Sequence, residues 1–494
     1  MKYNVIHFHA ESWDGRMLGS LGHPALRNAT PHVDRLAREG AMFEQAYCSH
    51  PICCPSRANM WSGRYTQHCE SWNNFKGLED GMESLLDRLP ETHTLKTLGK
   101  LDYRSGGHTV MNRVADWLAG SGVERPVFDQ DPSQCFTVAD DQSPRFHHGD
   151  WEKADQAIAF LEEQAAAGAG RDGKPFFLTL STHLTHAAFQ TNRYWLDKIP
   201  EAAVDLPPVD ATDHPCIRYQ RMAKGWRFGF EDVTVRQVRR IYFAMCAEAD
   251  AVMGSIYDAM RKFGLADRTY FVFTSDHGEL AMEHQDWYKM SFYEGSVRVP
   301  MVMTGPGIAS GRRIRNLVSL VDLFPTFLDM AGLPPRTVFD GESLLPLATG
   351  ATDKSRNTAY ACYMGLTLNT TGYMLRKGPW KWVVYVGYPS RLFHLDEDPG
   401  ELRDLAAARP DIARDLDAEL RAVVDVEETH RRVMEYNRSA FRSWRRQARL
   451  GLYADTTYGL RGRRESDYRA LMNNTFTGYD ETDEAQVEAW LNAE

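Results

Sequence analysis

His50-Pro51-Ile52-Cys53-Cys54-Pro55-Ser56-Arg57-Ala58-Asn59-Met60-Trp61-Ser62-Gly63-Arg64 is the stretch around which the chain can be arranged. It reads as a loop running into a helix. Proline suits a first helical position at Pro55, Ser56 to Ser62 can continue the turn, and Gly63 is a natural stop. Cys53 then lies at the helix mouth, where unpaired backbone N–H groups and the positive end of the dipole favour an anion. Arg57, one turn in, can point back toward the same spot. Adjacent cysteines also fit a buried turn or half of a metal site. The others, Cys48, Cys69, Cys135, Cys216, Cys246 and Cys362, form no second pair with zinc-like spacing.

Outward from that stretch, Asn4 to Ala10 reads as a buried central strand, and Glu11-Ser12-Trp13-Asp14-Gly15-Arg16 as the loop at its C-terminal end, the edge where open α/β sheets bind ligands. Glu11 can offer carboxylate oxygen to a hard cation. Asp14 is either a second acid for that cation or, the preferred reading, a turn residue before Gly15. His7 and His9 share the face of Glu11 by period two and read as buried, satisfied histidines. Thr30 caps and Pro31 opens a helix ending at Gly40. A helix is expected to hold Leu95 and Leu98 before Gly99-Lys100-Leu101-Asp102-Tyr103. Asp150 is expected to cap a helix to about Glu163, followed by a strand over Pro175 to Leu180 that ends in Ser181-Thr182-His183-Leu184-Thr185-His186. Residues 191–231 read as an irregular, proline- and aromatic-rich loop, and Val233 to Phe263 as a long helix. Thr269 to Ser275 is a further strand, running into Asp276-His277-Gly278-Glu279. Three C-terminal strands follow at Tyr373 to Arg376, Trp380 to Val386 and Arg391 to Leu395, then a helix from about Asp411 and an Arg-rich helix from about Glu427 with an aromatic tail.

The 494 residues, 43% hydrophobic and 25% charged, suffice for a large core and a second, smaller domain. We expect domains over 1–355 and 356–425 with a helical extension over 426–494, through which the chain could form a homo-oligomer. A net charge of −10 argues against general nucleic-acid or membrane-surface binding. The N-terminus runs straight into strand-like sequence, and eight cysteines lack a framework spacing, which together predict a cytoplasmic protein.

Five separated motifs, the Cys53 stretch, Glu11 at a strand end, Gly99-Lys100, His183 to His186, and Asp276-His277 with Glu283-His284 and Lys289, occur in one order. On them the chain resembles the type I sulfatases, over most of residues 1 to about 425. The resemblance implies an α/β fold of the alkaline-phosphatase-like sulfatase type, a large mixed sheet between helices plus a small antiparallel C-terminal sheet. It implies oxidation of Cys53 to formylglycine by a formylglycine-generating enzyme, and a divalent cation held by Glu11, Cys53, Asp276 and His277, calcium before magnesium or manganese. Arg57, Lys100 and Lys289 would face the sulfuryl group, His284 would be the family's second catalytic histidine, and His186 would protonate the leaving alcohol, while His183 is structural. The family usually carries two adjacent aspartates where this chain has Glu11-Ser12, and a histidine where it has Asp102. The second departure is shared with a subgroup acting on 2-O-sulfated glucuronate, which makes a small sulfated carbohydrate the expected substrate. Asp102, Lys76, His108 and Arg113 are the candidate contacts to that sugar, the three cations for its carboxylate. A phosphate or phosphonate ester hydrolase, or a protein that binds sulfated sugars without cleaving them, are the alternatives.

Overall fold

The computed structural model describes residues 3–105, 113–127, 136–226, 229–450 and 468–493. Its centre is an eight-stranded sheet. Seven of its strands, with the helices that matter here, run in chain order as β1 (Asn4–Ala10), α1 (Pro31–Glu39), β2 (Ala41–Tyr47), α2 (Cys53–Ser62), β3 (Thr94–Gly99), α3 (His148–Ala166), β4 (Phe176–Ser181), α4 (Pro215–Ala223), α5 (Asp232–Lys262), β5 (Thr269–Ser275), β6 (Met301–Thr304), β7 (Arg312–Ser319) and α6 (Leu323–Ala331). The spatial order is β7-β2-β6-β5-β1-β4-β3, with the short strand Arg298–Val299 pairing β2 off this path. Only β6 on this path runs against the rest.

Alternation along β1 sorts its side chains. Ile6, Phe8 and Ala10 join the core formed with α3 and α5, whereas Val5 joins the opposite core and His7 meets Trp61 of α2 and Phe327 of α6. Both faces are thus covered, as a sheet dominated by parallel strands requires. Each of the large apolar side chains so buried contributes roughly 1.5–3 kcal/mol.

Register then builds the edge. Ala10 pairs with Ser275, so the next residues of β1 and β5, Glu11 and Asp276, emerge side by side. Gly99 pairs with Ser181, which brings Lys100 beside the His183 to His186 turn. Gly99 has φ +83°, and a Cβ there would lie 1.9 Å from the Ser181 carbonyl oxygen, so no other residue fits that crossing.

Several expectations need correction. Leu95 and Leu98 lie on β3, not on a helix: the segment is the edge strand beside β4, where Leu98 is buried and Thr97 exposed. Asp150 is not a cap. The α3 helix starts at His148, and the buried Asp150 carboxylate instead accepts the N–H groups of His183 and Leu184, the closest contacts at 2.9 Å. Thr30 occupies the cap position of α1, yet its hydroxyl donates to Leu26 and accepts from Gly19 rather than bonding the helix. Within 191–231 the chain forms α4, begun by Pro215.

Downstream lie β8 (Thr358–Gly365), β9 (Leu368–Lys377), β10 (Trp380–Tyr385) and β11 (Tyr388–His394), an antiparallel sheet of four strands rather than three, covered by α7 (Pro410–Val423). β8 escaped the alternation test because all of it after Thr358 is buried, leaving no polar face to read. Beyond it come α8 (Val426–Arg449), α9 (Tyr468–Thr475) and α10 (Glu481–Asn492). The apolar face of α8, with Val433, Met434, Phe441 and Trp444, is buried within this chain. Its other residues brace the loop after α2: Arg432 bonds the Glu70 carboxylate and the Gln67 carbonyl and lies over Trp72, and Lys76 lies over the Tyr436 ring. No described helix is long and apolar enough to cross a membrane.

Candidate active site

At the sheet edge, Glu11, Cys53, Asp276 and His277 converge, one ligand atom from each lying within 4.8 Å of the others. Cys53 is the first residue of α2 and Gly63, in the left-handed region at φ +69°, ends that helix. Its thiol is 3.2 Å from Glu11 Oε1 and 3.4 Å from His277 Nε2. The His277 Nδ1–H donates to the Gly278 carbonyl at 2.9 Å, which leaves the Nε2 lone pair facing the cluster, the tautomer a metal ligand needs. Asp276 Oδ1 accepts the N–H groups of Ser12 (3.1 Å) and His277 (3.0 Å).

Arg57 is buried behind these acids. Its Nε donates to Asp276 Oδ2 at 3.0 Å, and one amino group reaches the Lys100 carbonyl at 2.7 Å and Ser181 Oγ at 2.9 Å. Its other amino group makes no hydrogen bond and stands 3.7 Å from Glu11 Oε2, itself buried without one. Lys100 Nζ bonds Glu11 Oε1 and lies 3.5 Å from Asp102 Oδ2. Burial would raise the Glu11 carboxyl, but Lys100, with His186 and Arg57, brings it down to about 2, so it is a carboxylate at neutral pH. Burial, seconded by Arg57, pushes His7 down to about 3 and His9 well below its ordinary value, so both are neutral. Both Nε2 atoms lack a hydrogen bond, so these two histidines are only half satisfied.

On the open side, the Lys100 and His186 side chains are each 25% exposed, whereas Glu11, Arg57 and Asp276 are 0%. The site therefore opens past Lys100 and His186. His186 donates its Nδ1–H to the Ala187 carbonyl, and its Nε2 receives the Lys289 ammonium at 2.5 Å. Burial and then Lys289 lower its pKa. His183 is exposed, its ring 5.4 Å from that of His186.

The structure thus brings together Glu11, Cys53, Arg57, Lys100, Asp102, His186, Asp276, His277 and Lys289. His284 donates its Nδ1–H to Asp210 at 3.1 Å and stacks its ring on Tyr293 at 3.5 Å. Lys76 pairs with Glu79 at 2.6 Å. His108 lies outside the described residues, and Arg113 opens a short helix, Arg113–Trp117. Asp14 is a buried turn residue ion-paired to Arg16 at 2.6 Å, and Arg16 also holds Glu283. Sequence reasoning missed Ser181, Asp150, Asp210, and Asn74, whose Oδ1 accepts the Cys54 N–H at 3.0 Å. Asn74 sat in an amide-rich stretch that gave it a signal; the other three act through long-range contacts.

A sheet edge presenting two carboxylates, a histidine and a helix-mouth cysteine, ringed by an arginine and two lysines, is a hydrolase site for an anionic ester. The family profile described as Sulfatase matches residues 3–333, and that of the N-sulphoglucosamine sulphohydrolase C-terminal region matches 282–426. The chain belongs to the sulfatase family, and is an enzyme of that class. It is 37% identical over 474 residues to arylsulfatase K of Rattus norvegicus, covering 90% of this chain and 81% of that one. To arylsulfatase K of Homo sapiens it is 34% identical over 469 residues, covering 90% and 86%. Among solved structures, a phosphonate monoester hydrolase of Agrobacterium radiobacter superposes with a TM-score of 0.68 at 22% identity, over 85% of this chain and 95% of that one. A 2-O GAG sulfatase does so with a TM-score of 0.64 at 21% identity, over 90% and 94%. At these identities the structural matches establish the alkaline-phosphatase-like sulfatase fold, as expected.

Proposed function

We propose that the enzyme uses formylglycine at position 53 and a divalent cation, calcium first, to remove sulfate from a sulfated uronate or related sugar. The observation that carries this reading is the convergence of Glu11, Cys53, Asp276 and His277. The residues suit such an ion. Glu11 Oε2 is a buried carboxylate oxygen without a hydrogen bond, and His277 offers the correct nitrogen. A sulfur at position 53 would favour a softer metal, whereas an oxygen there completes a mostly oxygen set that suits calcium, magnesium or manganese. When present, the cation would polarise the sulfuryl group and the formylglycine hydrate would supply the attacking oxygen.

The chain's own groups do the rest. Arg57 fixes Asp276 and sets the spacing between the two carboxylates. Lys100 and Lys289 lie where they can offset charge on sulfuryl oxygens. His186, its ring held through Nδ1, accepts the Lys289 ammonium at Nε2, so the proton that reaches the departing alcohol comes from that ammonium and passes through Nε2. Asp150 holds the turn carrying that histidine through two backbone N–H groups.

The uronate assignment rests on the resemblance of the motifs around Asp102 to the glucuronate subgroup. Two measurements test the whole. A peptide spanning Cys53 should be lighter than its unmodified form; a peptide of unmodified mass in fully active enzyme would sink the formylglycine assignment. Turnover of a 2-sulfated glucuronide should exceed that of the matching glucoside and of the corresponding phosphonate ester. Equal turnover of glucuronide and glucoside removes the uronate, and a preference for the phosphonate removes sulfate as the substrate.

A further inference from the structure

Lys224, the residue that ends α4, has no exposure at all, although lysine is among the residues most rarely buried. Its ammonium donates to Asp286 Oδ2 at 2.8 Å and to the Lys289 carbonyl at 2.7 Å. The same turn of chain holds the neighbouring residues. The Trp287 Nε1–H donates to the Lys224 carbonyl at 2.6 Å, and Gln220 Nε2 donates to the Met290 carbonyl at 2.7 Å. Met290 N–H in turn reaches the Pro51 carbonyl at 3.0 Å, just before the Cys53 helix.

These bonds converge on a backbone that needs them. Tyr288 and Met290, on either side of Lys289, have φ of 64° and 74°, a region side-chain-bearing residues adopt rarely and keep only where the surroundings impose it. Lys289, between them, sends its ammonium to His186 Nε2 at 2.5 Å. We propose that Lys224 is a positioning residue for the Lys289–His186 pair, acting through the Lys289 carbonyl. It rests on the reading of that pair as the leaving-group end of the site. Folding alone does not call for a charge here, since apolar replacements of buried ion pairs are often neutral or stabilising.

The test is a double-substitution cycle read on two substrates, a sugar 2-sulfate with a poor alcohol leaving group and an activated aryl sulfate. Lys224→Met should lower kcat on the sugar sulfate about 10- to 100-fold, the scale of a misplacement near 1 Å, and on the aryl sulfate far less. Lys224→Met combined with Lys289→Ala should be no slower than Lys289→Ala alone. Multiplying effects, or equal loss on both substrates, would overturn the proposal. If instead Lys289→Ala itself slows both substrates equally, the leaving-group reading fails, which is a separate result. Should Lys224→Met not fold, Lys224→Arg carries the test by keeping a charge beside Asp286 while displacing the donor from the Lys289 carbonyl. The same substrate-dependent slowing supports the proposal, and unchanged kinetics overturn it.

Discussion

Arg57→Lys keeps a positive charge beside Asp276 but not the planar fork. Arg57 makes three hydrogen bonds of 3.0 Å or less, to Asp276, the Lys100 carbonyl and Ser181. A single ammonium at the end of a lysine can replace one of them in this geometry, and each bond lost from a charged donor costs about 1.5–3 kcal/mol, so two cost roughly 3–6 kcal/mol. An unfolding entropy of about 2.1 cal/mol/K per residue makes 494 residues worth roughly 1 kcal/mol per kelvin, which converts the loss to a fall in Tm of about 3–6 °C. If at least 3 kcal/mol of the orientation so lost is also lost in the transition state, kcat/KM falls about 100-fold. Thermal unfolding in chelator, followed by steady-state turnover with calcium restored, reads both numbers. A variant whose Tm stays within about 1 °C and whose turnover is intact would refute the idea that the fork, rather than its charge, organises the carboxylates.

Cys53→Ser should abolish multiple turnover at an unchanged melting temperature, because the residue is fully packed and the exchange is nearly isosteric; sustained turnover by the purified variant would count against the nucleophile. His186→Ala should slow alkyl sulfates by about 100-fold or more and activated aryl sulfates little, since only poor leaving groups need the proton; equal slowing would make His186 a binding group. Burial pushes Asp250, which accepts the His32 and Val33 N–H groups at the start of α1, up to about 8 from 3.8. A raised folded-state value means that its contribution to stability is complete below pH 3.8 and fades as pH rises through about 8. Asp250→Asn should therefore flatten the decline in Tm across that window, and an unaltered pH profile would show that Asp250 does not ionise there.

The cluster was legible because two short-range rules suffice to find it. Residues that follow paired parallel strands emerge together, which places Glu11 beside Asp276, and a residue one turn into a helix can face the element's mouth, which places Arg57 near Cys53. The groups that hold the cluster in place were not legible. Asp150 had the position and residue type of a helix cap, and only the fold reveals that it serves the His183 turn instead. Lys224 is a single lysine after a proline-led helix, and nothing local distinguishes it from a solvated one. His284 matched its motif position, and only the fold reveals that Asp210, 74 residues away, accepts from its Nδ1. In β3 the spacing of Leu95 and Leu98 suggested a helix, but pairing with β4 prevails over local spacing at a sheet edge.

The brace from α8 begins beyond the last residue matched by either family profile, yet it reaches the loop that contains Asn74 and so the second residue of the Cys53 helix. Tail and loop therefore form one unit of exchange. Grafting the loop over 65–77 from a relative without its tail would part Glu70 from Arg432 and Lys76 from Tyr436, and grafting the tail alone would do the same from the other side. Chimeras meant to transfer substrate preference within this family must move both segments together, while the carboxylates, histidines and position 53 stay where they are.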